Sequence, residues 1–278
     1  MKFKTILCVT GVADSDEHLN NAITLCQESQ LHLAVLVVGV SPPPPTYSYG
    51  VSVDTGWSDD MAAGRTLAID RGNAIEKILQ DAGISADVDV SFCEYGQMDD
   101  VIGVRAKYCD LTLVGRAEEN DNDLRAKTVY GALYGSTKPI LLMPKTGITK
   151  LGADKIMIAW DNGLPAVRAI GQALDLLKAA SEVHIVLVDP HSSSDGAGQE
   201  PGSDLARYLV RHDINITVEI LASGDRPVEK VLQQHAIDMD AGLIVMGAYG
   251  HSRVKQLVFG GTTASMIDHP TLPVLMSH

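Results

Sequence analysis

Gly242-Leu243-Ile244-Val245-Met246-Gly247-Ala248-Tyr249-Gly250 is followed, nine residues on, by Gly260-Gly261-Thr262-Thr263. The apolar run reads as a buried strand, the glycines after it as a turn, and the second glycine pair as the opening of a short helix. This arrangement lays backbone N–H groups around a phosphate, and glycine leaves the approach free of Cβ atoms. The first half of the chain carries a worn copy. Asp110-Leu111-Thr112-Leu113-Val114-Gly115 matches Ala241-Gly242-Leu243-Ile244-Val245-Met246-Gly247. Thr137-Lys138-Pro139-Ile140-Leu141 likewise matches Thr271-Leu272-Pro273-Val274-Leu275. A repeat of about 140 residues signals duplicated domains rather than a solenoid.

Outward from that stretch, strands alternate with helices. In the first half the patterns predict strands over 4–9, 31–40, 86–93, 111–114 and 139–143, and helices over 16–30, 59–82, 99–108 and 124–134. In the second half they predict strands over 155–160, 183–188, 216–221, 243–246 and 273–276, and helices over 165–180, 204–212, 227–235 and 262–268. Leu31 to Val40 is almost wholly apolar, as a strand covered on both faces should be, whereas Ala86 to Cys93 alternates and reads as more exposed. Alternation implies parallel pairing through right-handed crossovers. The fold class is therefore α/β: two tandem open parallel five-stranded sheets, helices on both faces, Rossmann-like. The domains run over 1–146 and 152–278. Ser41-Pro42-Pro43-Pro44-Pro45 opens an irregular surface excursion to Ser58, and 191–203 reads as a Ser/Gly loop.

Composition excludes several classes. A net charge of −13 over 278 residues opposes nucleic-acid binding, which needs a basic surface, and 5% aromatic content gives few stacking platforms. No apolar run reaches the roughly 18 residues of a membrane span. Met1-Lys2-Phe3-Lys4 and the apolar run after it faintly resemble a signal peptide, but Lys155 to Trp160 repeats the pattern mid-chain, so both read as first strands. Cys8, Cys26, Cys93 and Cys109 form no C-x-x-C pair and read as buried reduced thiols of a cytoplasmic protein.

Ligands of open parallel sheets bind beyond the carboxyl ends of the strands. The candidates there are Asp161 after the first strand of the second half, Val188 and Asp189 after the second, Gly247 and Gly250 after the fourth, and Gly260, Gly261, Thr262 and Thr263 at the last helix. Arg253 and Lys255 could add donors. Asp161 reads either as a helix N-cap, because Leu164-Pro165 follows, or as an acceptor for ribose or adenine. No Ser-His-Asp set, metal-spaced histidine pair or Walker lysine is evident, so no catalytic residue and no metal ligand is assigned. His251 reads as a solvated turn residue and His184 as a packed strand residue.

The constellation resembles the universal stress protein family in its tandem form, over nearly the whole chain. Gly247-x-x-Gly250-x9-Gly260 is similar to the family's ATP signature, in which Ser or Thr follows the last glycine; here Gly261 stands in that place. The resemblance implies that Asp161 contacts the nucleoside, that the Val188 backbone meets adenine, and that the cofactor is ATP. Asp161 and Asp189 could join Mg²⁺ to the phosphates. In the first half Gly11 stands where Asp161 does, Gly115 survives, and Glu118 replaces the second glycine, so no standard nucleotide site is expected in 1–145. Family domains pair through their last strands, which implies an internal pseudo-dimer, with a homodimer as an open further step. The expected function is a cytoplasmic stress-response factor binding ATP in its C-terminal domain, with at most weak ATP hydrolysis. The alternative is a non-nucleotide interaction module of the same fold.

Overall fold

The computed structural model describes residues 3–44, 55–115, 122–190, 200–248 and 261–278. They form two compact units, Phe3–Ser136 and Thr137–His278. The first contains β1 (Thr5–Gly11), α1 (Glu17–Ser29), β2 (His32–Val40), α2 (Thr55–Ala82), β3 (Ala86–Cys93), α3 (Met98–Ala106), β4 (Leu111–Val114) and α4 (Asn122–Gly135). The second contains β5 (Ile140–Leu142), β6 (Lys155–Ala159), α5 (Leu164–Ala179), β7 (Glu182–Val188), α6 (Ser203–Val210), β8 (Ile216–Leu221), α7 (Val228–Asp238), β9 (Leu243–Gly247), α8 (Thr262–Asp268) and β10 (Val274–Ser277).

In the first unit the strands lie in the order β3-β2-β1-β4, all parallel. β1 and β2 are buried along nearly their whole length, which requires a layer of helices on each face. β3 is half exposed, as its alternating sequence predicts for an edge strand. α2 carries its buried line on Ala68, Ile75 and Leu79, at helical spacing. It runs 28 residues and begins four residues earlier than its apolar periodicity suggests; the Trp57 indole N–H donates to the Pro42 carbonyl at 3.3 Å and fastens that first turn.

In the second unit the order is β5-β10-β9-β6-β7-β8. β10, β9, β6, β7 and β8 are mutually parallel, and β5 adds antiparallel to β10. The register there sets Ile140 against Met276, Leu141 against Leu275 and Leu142 against Val274. All six side chains are fully buried or nearly so, which fixes the register because a one-residue slip would turn the apolar set outward.

The mostly parallel α/β class and the predicted strands are therefore present. All four cysteines are buried, and none is in a disulfide. Burial pushes the Cys8 and Cys26 thiols up to about 12, and at Cys8 the nearby Cys26 and Asp14 add to it. Among the described residues no helix is long and apolar enough to cross a membrane, and no cluster of three or more ligands could hold a metal ion.

Candidate functional site

Strand order reverses between β6 and β9: β7 and β8 lie on one side of β6, and β9 and β10 on the other. In an open parallel sheet such a switch point is where ligands bind, beyond the carboxyl ends of the strands. The register places Ala159 beside Met246, so Asp161 and Gly247 leave from neighbouring strand ends. Val188 ends β7, the next strand over.

Asp161 is exposed, and its Oδ1 accepts from the Gly163 N–H at 2.8 Å. Asn162, between them, takes a left-handed φ of 61°. Asp161 thus closes a tight turn two residues ahead of α5, and the N-cap itself is Gly163, without a side-chain cap bond. The helix-cap reading of Asp161 is corrected to this turn, with the carboxylate folded toward Gly163.

Gly247 is held by packing. A Cβ there would lie 2.5 Å from the Ala166 nitrogen and 2.9 Å from the Pro165 carbonyl carbon, so the first turn of α5 rests directly on the end of β9. Gly261 is the opposite case. It is the N-cap of α8 in extended backbone (φ −163°, ψ 162°), and among the described residues a Cβ there would meet nothing within 4 Å. Thr262 and Thr263 form the first turn of α8. Gly250, Gly260, His251, Arg253 and Lys255 lie outside the described residues.

Asp189 follows Val188 with a left-handed φ of 45°, and both its carboxylate oxygens accept from the Ser223 N–H, at 3.2 and 3.3 Å. It is engaged with the turn after β8.

The corresponding place in the first unit lies between β1 and β4, where Cys8 pairs with Leu113. Its own side chains fill it. The Asp14 carboxylate accepts from the Gly11 N–H at 2.5 Å and lies 2.7 Å from where a Gly11 Cβ would be. The His18 ring packs 2.8 Å from the Cβ position of Gly115, and the Arg125 Nε–H donates to the Gly115 carbonyl at 2.8 Å. Arg71, reaching over from α2, donates to the Asp14 carbonyl at 3.2 Å and pairs with Asp16 at 2.7 Å. Sequence reasoning found the missing aspartate at Gly11 but missed these substitutes. Asp14, three residues past the glycine, was the visible signal; Arg71 is 57 residues from the group it holds and gave none. Glu118 lies outside the described residues.

Residues 152–278 match the model of the universal stress protein family. A universal stress protein of Synechocystis sp. is 32% identical over 141 residues, half of this chain; the chain spans 46% of that relative's length. Among solved structures, a universal stress protein from Archaeoglobus fulgidus superposes with a TM-score of 0.64 over 98% of this chain and 94% of that one, at 19% identity. A Pseudomonas aeruginosa protein of unknown function gives 0.54 over 99% and 92%, at 18% identity. These two likenesses speak for the fold. The family model adds a likeness of residues 152–278 to the universal stress protein family, and the relative a likeness over half of the chain.

Proposed function

We propose that the chain is a cytoplasmic stress-response factor that binds ATP in a C-terminal domain spanning 152–278, while residues 1–146 form a domain whose own site is closed. The observation that carries this reading is the contrast between the two switch points. At β6/β9 an exposed carboxylate stands beside a glycine strand end. At β1/β4 the same ground is taken by Asp14 and His18.

The residues fit a nucleotide in three respects. Asp161 has one oxygen committed to a turn at 2.8 Å, which orients the group and leaves the other for a ribose hydroxyl or an adenine amine. The Val188 backbone ends a strand next to β6, where an adenine edge would find peptide groups. Among the described residues nothing lies within 4 Å of a Cβ at Gly261, which suits approach to the N–H groups of α8. ATP supplies the charged triphosphate that the glycines Gly250 and Gly260, with Thr262 and Thr263, would cradle. Where Mg²⁺ accompanies it, Asp161 is the carboxylate in place to share in holding the ion. Buried thiols without disulfides suit a reducing compartment.

Calorimetric titration of ATP with Mg²⁺ into the purified chain tests the proposal. One site per chain is expected, weakened by Asp161→Ala by about 0.5–1.5 kcal/mol, the worth of one hydrogen bond. Absence of both heat and thermal shift at millimolar ATP would leave the interaction-module reading standing. That second reading draws on the filled first-unit switch point, which suits a domain that contacts other groups rather than a nucleotide.

A further inference from the structure

We propose that Ser85, His32 and Asp87, at the amino ends of β2 and β3, form a hydrolytic site for small aryl esters of short acyl groups. His32 is the first residue of β2; Ser85 follows the left-handed turn at Gly83 (φ 65°), and Asp87 is the second residue of β3. The parallel register that pairs Leu33 with Ala86 sets His32 opposite Ser85. The imidazole bridges the two partners: Nδ1 lies 2.8 Å from Ser85 Oγ, and Nε2 lies 2.7 Å from Asp87 Oδ1. The carboxylate can only accept, so it holds the ring proton on Nε2 and leaves the Nδ1 lone pair facing the serine hydroxyl. That is the hydroxyl–imidazole–carboxylate relation that activates a serine, recognised by geometry rather than by order in the chain. It joins residues 53 and 55 positions apart, which is why the sequence showed no such set.

The surroundings favour small, accessible substrates. His32 and Asp87 are 35% and 45% exposed, so an ester carbonyl reaches Ser85 from solvent. Arg105, on α3, bonds Asp87 and lies 3.0 Å from Asp89, which fixes the carboxylate. A phenolate leaves more readily than an alkoxide, so an aryl ester asks least of this exposed site. The second unit supplies an internal contrast. His184 on β7 also meets an edge-strand carboxylate, but its Nδ1 faces Glu219 and its Nε2 faces Glu182, so both nitrogens meet carboxylates.

In the step itself, Ser85 Oγ adds to the ester carbonyl carbon while its proton passes to His32 Nδ1. The tetrahedral adduct collapses, the bond between the former carbonyl carbon and the aryloxy oxygen breaks, and the leaving phenolate takes that proton to leave as the phenol. Water, deprotonated by the same nitrogen, then releases the acid and restores Ser85.

The test uses p-nitrophenyl acetate on the full chain, with intact and peptide mass spectra. A burst of one nitrophenol per chain and an acetyl group on Ser85 are expected. Ser85→Ala, which removes only an exposed hydroxyl, should abolish the burst with an unchanged melting curve. His32→Gln should slow turnover by about 100-fold or more, the usual worth of a general base. Asp87→Asn should lower kcat with little change in KM, and His184→Gln should leave turnover unchanged. Turnover that survives Ser85→Ala, or acetylation confined to lysines, overturns the proposal. ATP binding plays no part in this readout, so the two proposals stand or fall separately.

Discussion

Gly247 and Ala166 meet backbone to backbone: a Cβ on residue 247 would lie 2.5 Å from the Ala166 nitrogen. The glycine that the sequence marks as part of a phosphate loop therefore also seats α5 on the sheet. Because the obstruction is backbone, it cannot swing aside. Gly247→Ala should cost about 1–3 kcal/mol, the range for overpacking in a close-packed interior. Chemical denaturation with and without ATP checks it, and the loss should be present without nucleotide.

Gly261 should respond in the opposite sense. Its extended backbone, with none of the described residues within 4 Å of a Cβ, accepts a side chain. Gly261→Ser should gain a few tenths of a kcal/mol by supplying an N-cap hydroxyl. On the nucleotide proposal it should also tighten ATP by about the 0.5–1.5 kcal/mol of one added hydrogen bond. An ATP affinity unchanged by this variant would mean that the hydroxyl does not face the ligand.

The buried thiols set an alkaline limit. Burial raises Cys8 and Cys26 to about 12 against an ordinary 9.0. In the unfolded chain they ionise from about pH 9, while the folded thiols stay protonated. The folded state therefore binds more protons across that window, and stability is full below pH 9 and falls as pH rises from 9 toward about 12. Denaturation midpoints measured across that range should decline, less so in Cys8→Ser and Cys26→Ala backgrounds after correction for packing. Alkylation of native protein at pH 8 should be slow and become rapid in denaturant.

Glu219 ties three elements together. On β8, its Oε1 meets His184 Nδ1 of β7 at 2.5 Å, and its Oε2 lies 3.1 Å from His235 Nε2 of α7, out of line for a hydrogen bond. The side chains are only 15–29% exposed, so losing the carboxylate strands the His184 Nδ1 and removes the charge facing His235. Glu219→Ala should cost about 1–3 kcal/mol, and Glu219→Gln, which keeps an acceptor, less. Hydrogen exchange should localise the loss to β8 and α7.

Much of this architecture is written in local patterns. The all-apolar run at 31–40 and the alternating run at 86–93 announce an inner and an edge strand, and each strand end follows from its turn residues. The switch point was legible for the same reason, since Asp161 and Gly247 stand at strand ends that a parallel order must bring together. What stayed hidden depends on partners far along the chain. Nothing near Gly115 says that His18 fills the space beside it, and nothing near Gly247 says that Pro165 and Ala166 press on it. The Asp161 turn was misplaced by two residues because Asn162 adopts a left-handed conformation that the Leu164-Pro165 signal does not reveal. Ser85 and His32 meet only through the β2–β3 register.

The antiparallel ribbon of β5 and β10 has a consequence for how the protein is born. β5 leaves the ribosome roughly 130 residues before β10, with which it pairs antiparallel. Pairing so distant in sequence is slow to form, and an apolar strand kept waiting is a template for the wrong neighbour. Throughout synthesis of the second half, Ile140-Leu141-Leu142 waits for β10, so a nascent chain halted before residue 274 should be the form most dependent on chaperones.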